Sequence, residues 1–349
     1  MKNKSDVVIY LCGFTGRNGW NTCHWPWKRF NDVYNHLGYK VRWIEPEEIK
    51  DFKQKDAKKS RIFVTWDKPD TITLINDGIY EQGRDAIMHK MILFGGYDSG
   101  KNWGTTEEER QEFFKNFRWT QHKIFEDAYD AGANVWGFGA KTIHKGLGEK
   151  ERIVEKLKDR IFGIPWGSSL YGWDEIQSAV PVMDNLQADC AWVGSIWGKP
   201  GRGNVDSWHQ YLGNMANDQG LTWNAAGEGT QAGIVDNETH KAILRTGKIC
   251  PIVNAPPWRI EKGVMDRFWT VFTTGRFGVV DTEGVYLFFD KDEVVCTEDP
   301  GEYEELSRYY IKNIDKQKPY IEKIQKRIKQ EYNWYTSWEN ILKKVTREL

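Results

Sequence analysis

Between residues 190 and 203 a short apolar run, Cys190-Ala191-Trp192-Val193, breaks into a basic glycine loop, Gly194-Ser195-Ile196-Trp197-Gly198-Lys199-Pro200-Gly201-Arg202-Gly203. A strand that turns through glycines into a helix aims backbone N–H groups and the positive end of the helix dipole at one spot, which suits an anion. Lys199 and Arg202 add positive charge where a diphosphate could lie; a plain surface turn is the competing assignment. The loop is not a Walker A motif, because no Gly-Lys-Ser/Thr closes it, and it lacks the G-x-G-x-x-G spacing of dinucleotide folds. Further on, Met265-Asp266-Arg267-Phe268-Trp269 reads as the entry to a short helix, where Arg267 could pair bidentately with a phosphate beside the dipole. Two side chains suit proton transfer. Asp98, in Tyr97-Asp98-Ser99-Gly100, follows an apolar strand, and His24 sits in a tryptophan-rich loop with Trp20, Trp25 and Trp27. A surface turn for Asp98 and a capping or packing role for His24 are the alternatives.

These residues need a scaffold, and the chain supplies alternating strand and helix signals. Val7 to Leu11 is a short apolar strand, a helix is expected from Pro26 to Leu37, and strands follow at 40–44, 61–66, 91–94 and 134–138. A helix with an acid-rich start is expected from Thr105 to Ala131. A second series opens at Cys190, with a helix from Val205 to Gly220 and a strand at 221–223, and charged helices are expected over 300–329 and 332–349. Such alternation predicts an α/β fold with open, mostly parallel sheets, where ligands sit at the carboxyl ends of the strands. The expected division is a first domain over 1–170, a connection over 171–189, a second domain over 190–330, and a terminal helix over 331–349 that returns toward the first domain. At 349 residues, two domains are the default.

Composition narrows the partners. Residues 1–170 hold 28 basic against 24 acidic side chains, a charge of +4, and the remainder holds 21 against 26, a charge of −5. The mild basic bias is compatible with a polyanionic acceptor but falls short of a nucleic-acid signature. Eighteen tryptophans are the outlier, and their flat faces suit sugar rings, nucleobases or a packed core. Cys12, Cys23, Cys190, Cys250 and Cys296 are scattered and suggest reduced thiols rather than disulfides or a zinc site. No apolar run reaches the length of a membrane span, and the start lacks the pattern of a signal peptide, so a cytoplasmic protein is expected.

Taken in order, Val-Gly-Ser with its basic loop, then Lys248-Ile249-Cys250 with Asn254, then Arg267 with Gly275 and Phe277-Gly278-Val279-Val280-Asp281, resembles the C-terminal domain of glycosyltransferases of the GT-B fold, including their phage DNA-glucosylating and spore-protein-like branches. The resemblance covers roughly residues 190–345. It implies two Rossmann-like domains with a cleft between them, and a nucleotide-sugar donor such as a UDP-sugar, with no cofactor and no metal. It also implies that Gly194, Ser195, Lys199, Arg202 and Arg267 contact the diphosphate, while Ile234 and Val235 lie against the nucleobase. Many members carry a ribose-binding Glu three residues after the Arg, where this chain has Thr270. The resemblance further offers Asp98, and as a competitor His24, as the base that deprotonates the acceptor hydroxyl. The acceptor is expected to be a hydroxymethylated base in phage-type DNA, or else a glycan or small metabolite. A nucleotide- or sugar-binding protein without turnover is the reading from another class.

Overall fold

In the computed structural model, residues 3–13, 15, 24–45, 48, 60–66, 89–94, 106, 108–112, 135–139, 161–163, 186–196, 198–199, 202–256, 259 and 262–346 are described. The chain divides into two compact units. One comprises residues 1–97, 116–164 and 334–349, and the other residues 98–115 and 165–333.

The first unit is built on β1 (Val7–Cys12), β2 (Lys40–Ile44), β3 (Ser60–Trp66), β4 (His89–Phe94), β5 (Val135–Gly139) and β6 (Ile161–Gly163). All neighbours pair in parallel, in the order β2-β1-β3-β4-β5-β6. Every residue of β1 is buried, as a strand covered on both faces must be, which explains its unbroken apolar run. The chain leaves β1 for β2 on one side and then crosses to β3 on the other. The carboxyl ends of β1 and β3 therefore flank the switch point, where such sheets bind ligands.

Helix α1 (His24–His36) follows β1 and turns Trp27, Phe30, Val33 and Tyr34 inward. These meet a C-terminal helix of this unit, residues Trp334–Thr346, which buries Trp334, Trp338, Ile341, Leu342 and Val345 on one stripe at helical spacing. The Phe30 and Trp334 rings stack at 5.1 Å with their planes 4° apart, while Trp338 meets Phe30 and Tyr34 edge-on at 5.3 and 5.0 Å. Several of the chain's tryptophans are thus spent on a core that joins its two ends.

The second unit opens with β7 (Ala188–Val193), and a small antiparallel hairpin, β8 (Gly198–Lys199) with β9 (Arg202–Gly203), leads into α2 (Val205–Asn217). Strands β10 (Trp223–Ala226) and β11 (Gly247–Ile249) flank β7 in parallel, with α3 (Asn237–Thr246) between them. Beyond β11 the sheet continues through parallel bridges from Ile252 to Val280 and from Val280 to Cys296. The five-stranded ladder again turns about its first strand, so the carboxyl end of β7 is this unit's switch point.

Helix α4 (Asp266–Thr273) has Phe268 to Thr273 all buried, in an aromatic core shared with Phe277, Phe288, Phe289 and Tyr332. The long helix expected over 300–329 is instead α5 (Pro300–Lys312) and α6 (Lys318–Gln330), separated by a 3-10 turn at Ile314–Lys316. Pro319 explains the restart: proline lacks an N–H and is at home only in a helix's first turn. The helix over 334–346, α7, completes the described elements. Most of the helix expected over 105–131 lies outside the described residues.

The α1–α7 contact gives a direct test. Trp338→Ala should destabilise the first unit by about 3–5 kcal/mol in denaturant unfolding, the usual cost of truncating a fully buried large aromatic. A change under about 1 kcal/mol would mean that α7 contributes little to that core.

Candidate functional site

The site is assembled from loops at the carboxyl ends of β7, β10 and β11, starting with Gly194. This residue has φ +153°, and an added Cβ would lie 2.2 Å from Nη2 of Arg267. Its N–H donates to the Ala226 carbonyl at 2.9 Å, and its own carbonyl accepts from Trp192 Nε1 at 2.9 Å. Gly227, with φ +131°, packs so tightly on that carbonyl that a Cβ there would also fall within 2.2 Å. One residue further, Ile196 N–H donates to the Glu228 carbonyl at 2.7 Å. Two glycines without side chains thus let two loops and a guanidinium share one small volume.

Arg267 is the second residue of α4, and its guanidinium lies flat over Trp192, 3.4 Å from the ring centroid. Nη1 donates to the Val193 carbonyl at 2.7 Å, and Asp266 accepts from the Arg267 backbone N–H at 2.9 Å. Burial pushes the guanidinium down to about 10, opposed chiefly by the negative charge of Asp266, so Arg267 keeps its charge at neutral pH. Asp266 is itself raised by burial. A cation with one donor spent on a main-chain carbonyl, set over an indole ring at the end of β7, has the chemistry to receive an oxyanion.

The other expected contacts are placed unevenly. Ser195 follows Gly194 in the same turn, and its carbonyl accepts from Asn204 Nδ2 at 2.5 Å. The backbones of Lys199 and Arg202 are register partners across the β8–β9 hairpin. The start of α2, expected to hold the anion by its dipole, carries Asp206, which pairs with Arg110 at 3.0 Å. Ile234 is 73% exposed and Val235 is half-buried, in the loop between β10 and α3. Thr270 is only 1% exposed, and its hydroxyl has no hydrogen-bond partner among the described residues. It faces the core and presents nothing to a ribose. His24 is the first residue of α1, immediately after the loop that leaves β1 at the first unit's switch point. Asp98 lies outside the described residues.

Sequence reasoning missed three participants. Trp192 entered the sequence reading only as part of a strand, because nothing in the sequence shows that a helix 75 residues later lays a guanidinium on it. Glu228, just past β10, escaped notice for want of a motif. Asp281 was part of the recognised pattern but had no role assigned. It is fully buried and accepts hydrogen bonds from the Asn254 N–H at 2.9 Å, from Asn254 Nδ2, and from Arg259 Nη1 at 3.3 Å. Arg259 in turn lies over the Tyr211 ring at 4.7 Å. This network fastens the loop that runs from the third strand of the ladder to Arg267. Burial raises the Asp281 carboxyl to about 6 despite Arg259 and Asn254.

Among the described residues no group of three or more His, Cys, Asp and Glu could hold a metal ion. The Asp-x-Asp spacing at Asp290 and Asp292 falls on a turn where Asp292 is paired with Lys323 at 2.7 Å. No described helix is long and apolar enough to cross a membrane.

Comparison with known proteins points the same way for the second unit. A glycosyl transferase-like family model matches residues 181–343, just under half of the chain, and this stretch includes the whole constellation around Arg267. The match supports a glycosyltransferase. Among solved structures, a crystal structure of an alpha1,3-fucosyltransferase is similar over 99% of this chain and 92% of that one, at 9% identity and a TM-score of 0.46. A likeness of that degree carries no argument about substrate. No curated protein matches the chain.

Two measurements test the geometry. Gly194→Ala should cost about 1–3 kcal/mol of stability, since a Cβ there is strained and strikes the guanidinium; the cost should shrink by about 0.5 kcal/mol or more in an Arg267→Ala background, where the obstacle is gone. Equal costs in both backgrounds would show that the close approach is not what constrains Gly194. For Asp281, the folded state binds its proton more tightly than the unfolded chain. Its contribution should therefore make stability fall as pH rises from the ordinary 3.8 to about 6, and level off above. Unfolding curves across that range should show this component in the wild type and lose it in Asp281→Asn.

Proposed function

We propose that the protein is a glycosyltransferase whose second unit binds a nucleoside diphosphate sugar at the carboxyl end of β7. The observation that carries this reading is the guanidinium of Arg267, fixed over Trp192 and against Gly194 at the switch point of a parallel sheet, inside the stretch that matches the glycosyl transferase-like model. A diphosphate seated there would meet a half-buried cation and glycine backbone with no side chains to displace. The same charge would stabilise the leaving nucleoside diphosphate as the glycosidic bond breaks, which is where electrostatic preorganisation accelerates such a reaction. Lys199 and Arg202, on the neighbouring hairpin, are proposed as additional phosphate contacts, and Ile234 with Val235 as the apolar surface for the base.

The donor is proposed to be a UDP-sugar, bound without a metal. For the proton of the acceptor hydroxyl, Asp98 and His24 are the candidates; His24 has the support of its position after β1. The acceptor is proposed to be a glycan or small metabolite. A charge of only +4 over residues 1–170 gives little to hold a polyanion, and none of the comparisons supports a DNA base.

A thermal-shift panel of uridine, guanosine, adenosine and cytidine diphosphate sugars should identify the donor, and mass spectrometry of candidate glycans and metabolites the product. Arg267→Ala should weaken donor binding by about 1.5–3 kcal/mol, the worth of a charged hydrogen bond, or roughly ten- to a hundredfold in Kd. Tight donor binding with neither hydrolysis nor transfer to any acceptor would instead make this a binding protein. Unchanged affinity in Arg267→Ala would remove that residue from the site.

A further inference from the structure

We infer that Glu228 is the carboxylate that binds the ribose hydroxyls of the nucleotide, a role that rests on the diphosphate site proposed above. In Rossmann dinucleotide-binding units the phosphates of the nucleotide lie over the turn after the first strand, and this unit shares that strand arrangement though not the glycine fingerprint. The ribose then falls over the end of the neighbouring second strand, where an acidic side chain accepts hydrogen bonds from its hydroxyls. Here β7 is the first strand and β10 the second, paired directly and in parallel. Glu228 stands two residues beyond the end of β10.

The backbone fixes its place. Gly227 is packed on the Gly194 carbonyl, and the Glu228 carbonyl accepts from Ile196 N–H at 2.7 Å, so the Glu228 backbone is held directly beside the turn that begins at Gly194. The loop that carries it is closed on itself. Gly227 N–H donates to the Gly233 carbonyl at 2.6 Å, and the Thr230 N–H and hydroxyl both donate to the Gly227 carbonyl, at 3.0 and 2.8 Å. Gly229, with φ +81°, lies against the Ile196 carbonyl. The Glu228 side chain is exposed, and its carboxylate has no partner among the described residues. An ionised carboxylate offers two acceptor oxygens, which matches a cis diol.

Two further facts favour this assignment. Thr270, which stands where many proteins of the resembled family carry a ribose-binding Glu, is buried and faces the core, so it offers a ribose no contact. Ile234, 73% exposed, follows Gly233, whose carbonyl accepts from Gly227 N–H, so Glu228 and the apolar side chain proposed for the base belong to one closed loop beside Gly194.

The test uses isothermal titration of the full-length chain with UDP and 2′-deoxy-UDP, GDP and 2′-deoxy-GDP, and inorganic pyrophosphate. The wild type should prefer the ribonucleotide of whichever base binds by about tenfold or more, the effect of one hydrogen bond to a charged group. Glu228→Ala should abolish that preference by weakening the ribonucleotide alone, and Glu228→Gln, with one acceptor oxygen left, should fall between. Pyrophosphate affinity should be unchanged in both and reduced in Arg267→Ala. Equal melting temperatures for the Glu228 variants and the wild type check that the exposed position leaves the fold intact. A ribose preference that survives in Glu228→Ala, or that is absent from the wild type, overturns the assignment while leaving the diphosphate site standing if Arg267→Ala still weakens pyrophosphate. If neither nucleotides nor pyrophosphate bind the wild type, the diphosphate site itself falls, and the role of Glu228 with it.

Discussion

A guanidinium drawn partly out of water must be given partners in return, and the second unit is organised around that demand at Arg267. The Trp192 ring supplies a face for the cation, the Val193 carbonyl an acceptor, and Asp266 a compensating negative charge. Each partner constrains something else. The indole can lie under the guanidinium only if the chain leaves β7 without a side chain at residue 194, and the Gly194 carbonyl, held by the indole N–H, must in turn be met by a residue with no Cβ at 227. A single half-buried charge thus sets the glycines of two loops and joins the ends of two adjacent strands.

The charge also has to stay where it is put. Arg267 stands at the start of a helix of eight residues, whose inner side chains are locked among aromatic rings. The loop before it is secured by Asp281, a buried carboxylate that takes the Asn254 backbone and side chain and Arg259 together. Further along the same strand, the Tyr303 hydroxyl accepts from Ile252 N–H and donates to the Val279 carbonyl, closing the ladder where regular pairing has thinned to isolated bridges. A ligand that meets such a site need not spend binding energy on ordering it, which is the condition for electrostatic stabilisation to act on a developing charge.

The first unit applies the same topology with different means. Its first strand is buried throughout, and its carboxyl end, at the switch point, is followed by the helix that begins at His24. That helix is held from behind by Trp334 and Trp338, residues more than three hundred positions away in the chain. The C-terminal segment thereby stabilises the helix that follows the first strand.

Much of the architecture is readable from local pattern alone. The apolar run of β1, the helix after it, the strands at 40–44 and 60–66, and the glycine turn after Val193 all follow from periodicity and turn chemistry, which act over a few residues. The order of Gly194, Asn254, Arg267 and Asp281 along the chain is enough to suggest an anion site. Which side of α4 meets solvent is not readable, because a short helix buried from Phe268 to Thr273 shows no polar stripe; Arg267 and Thr270, three residues apart, look equivalent, yet one reaches the strand end and the other the core. The pairing of Arg267 with Trp192, the meeting of Gly194 with Gly227, and the place of Glu228 beside them were decided by the tertiary structure alone. Each depends on which strands lie side by side, and strand order is set by long-range burial that no local stretch of sequence encodes.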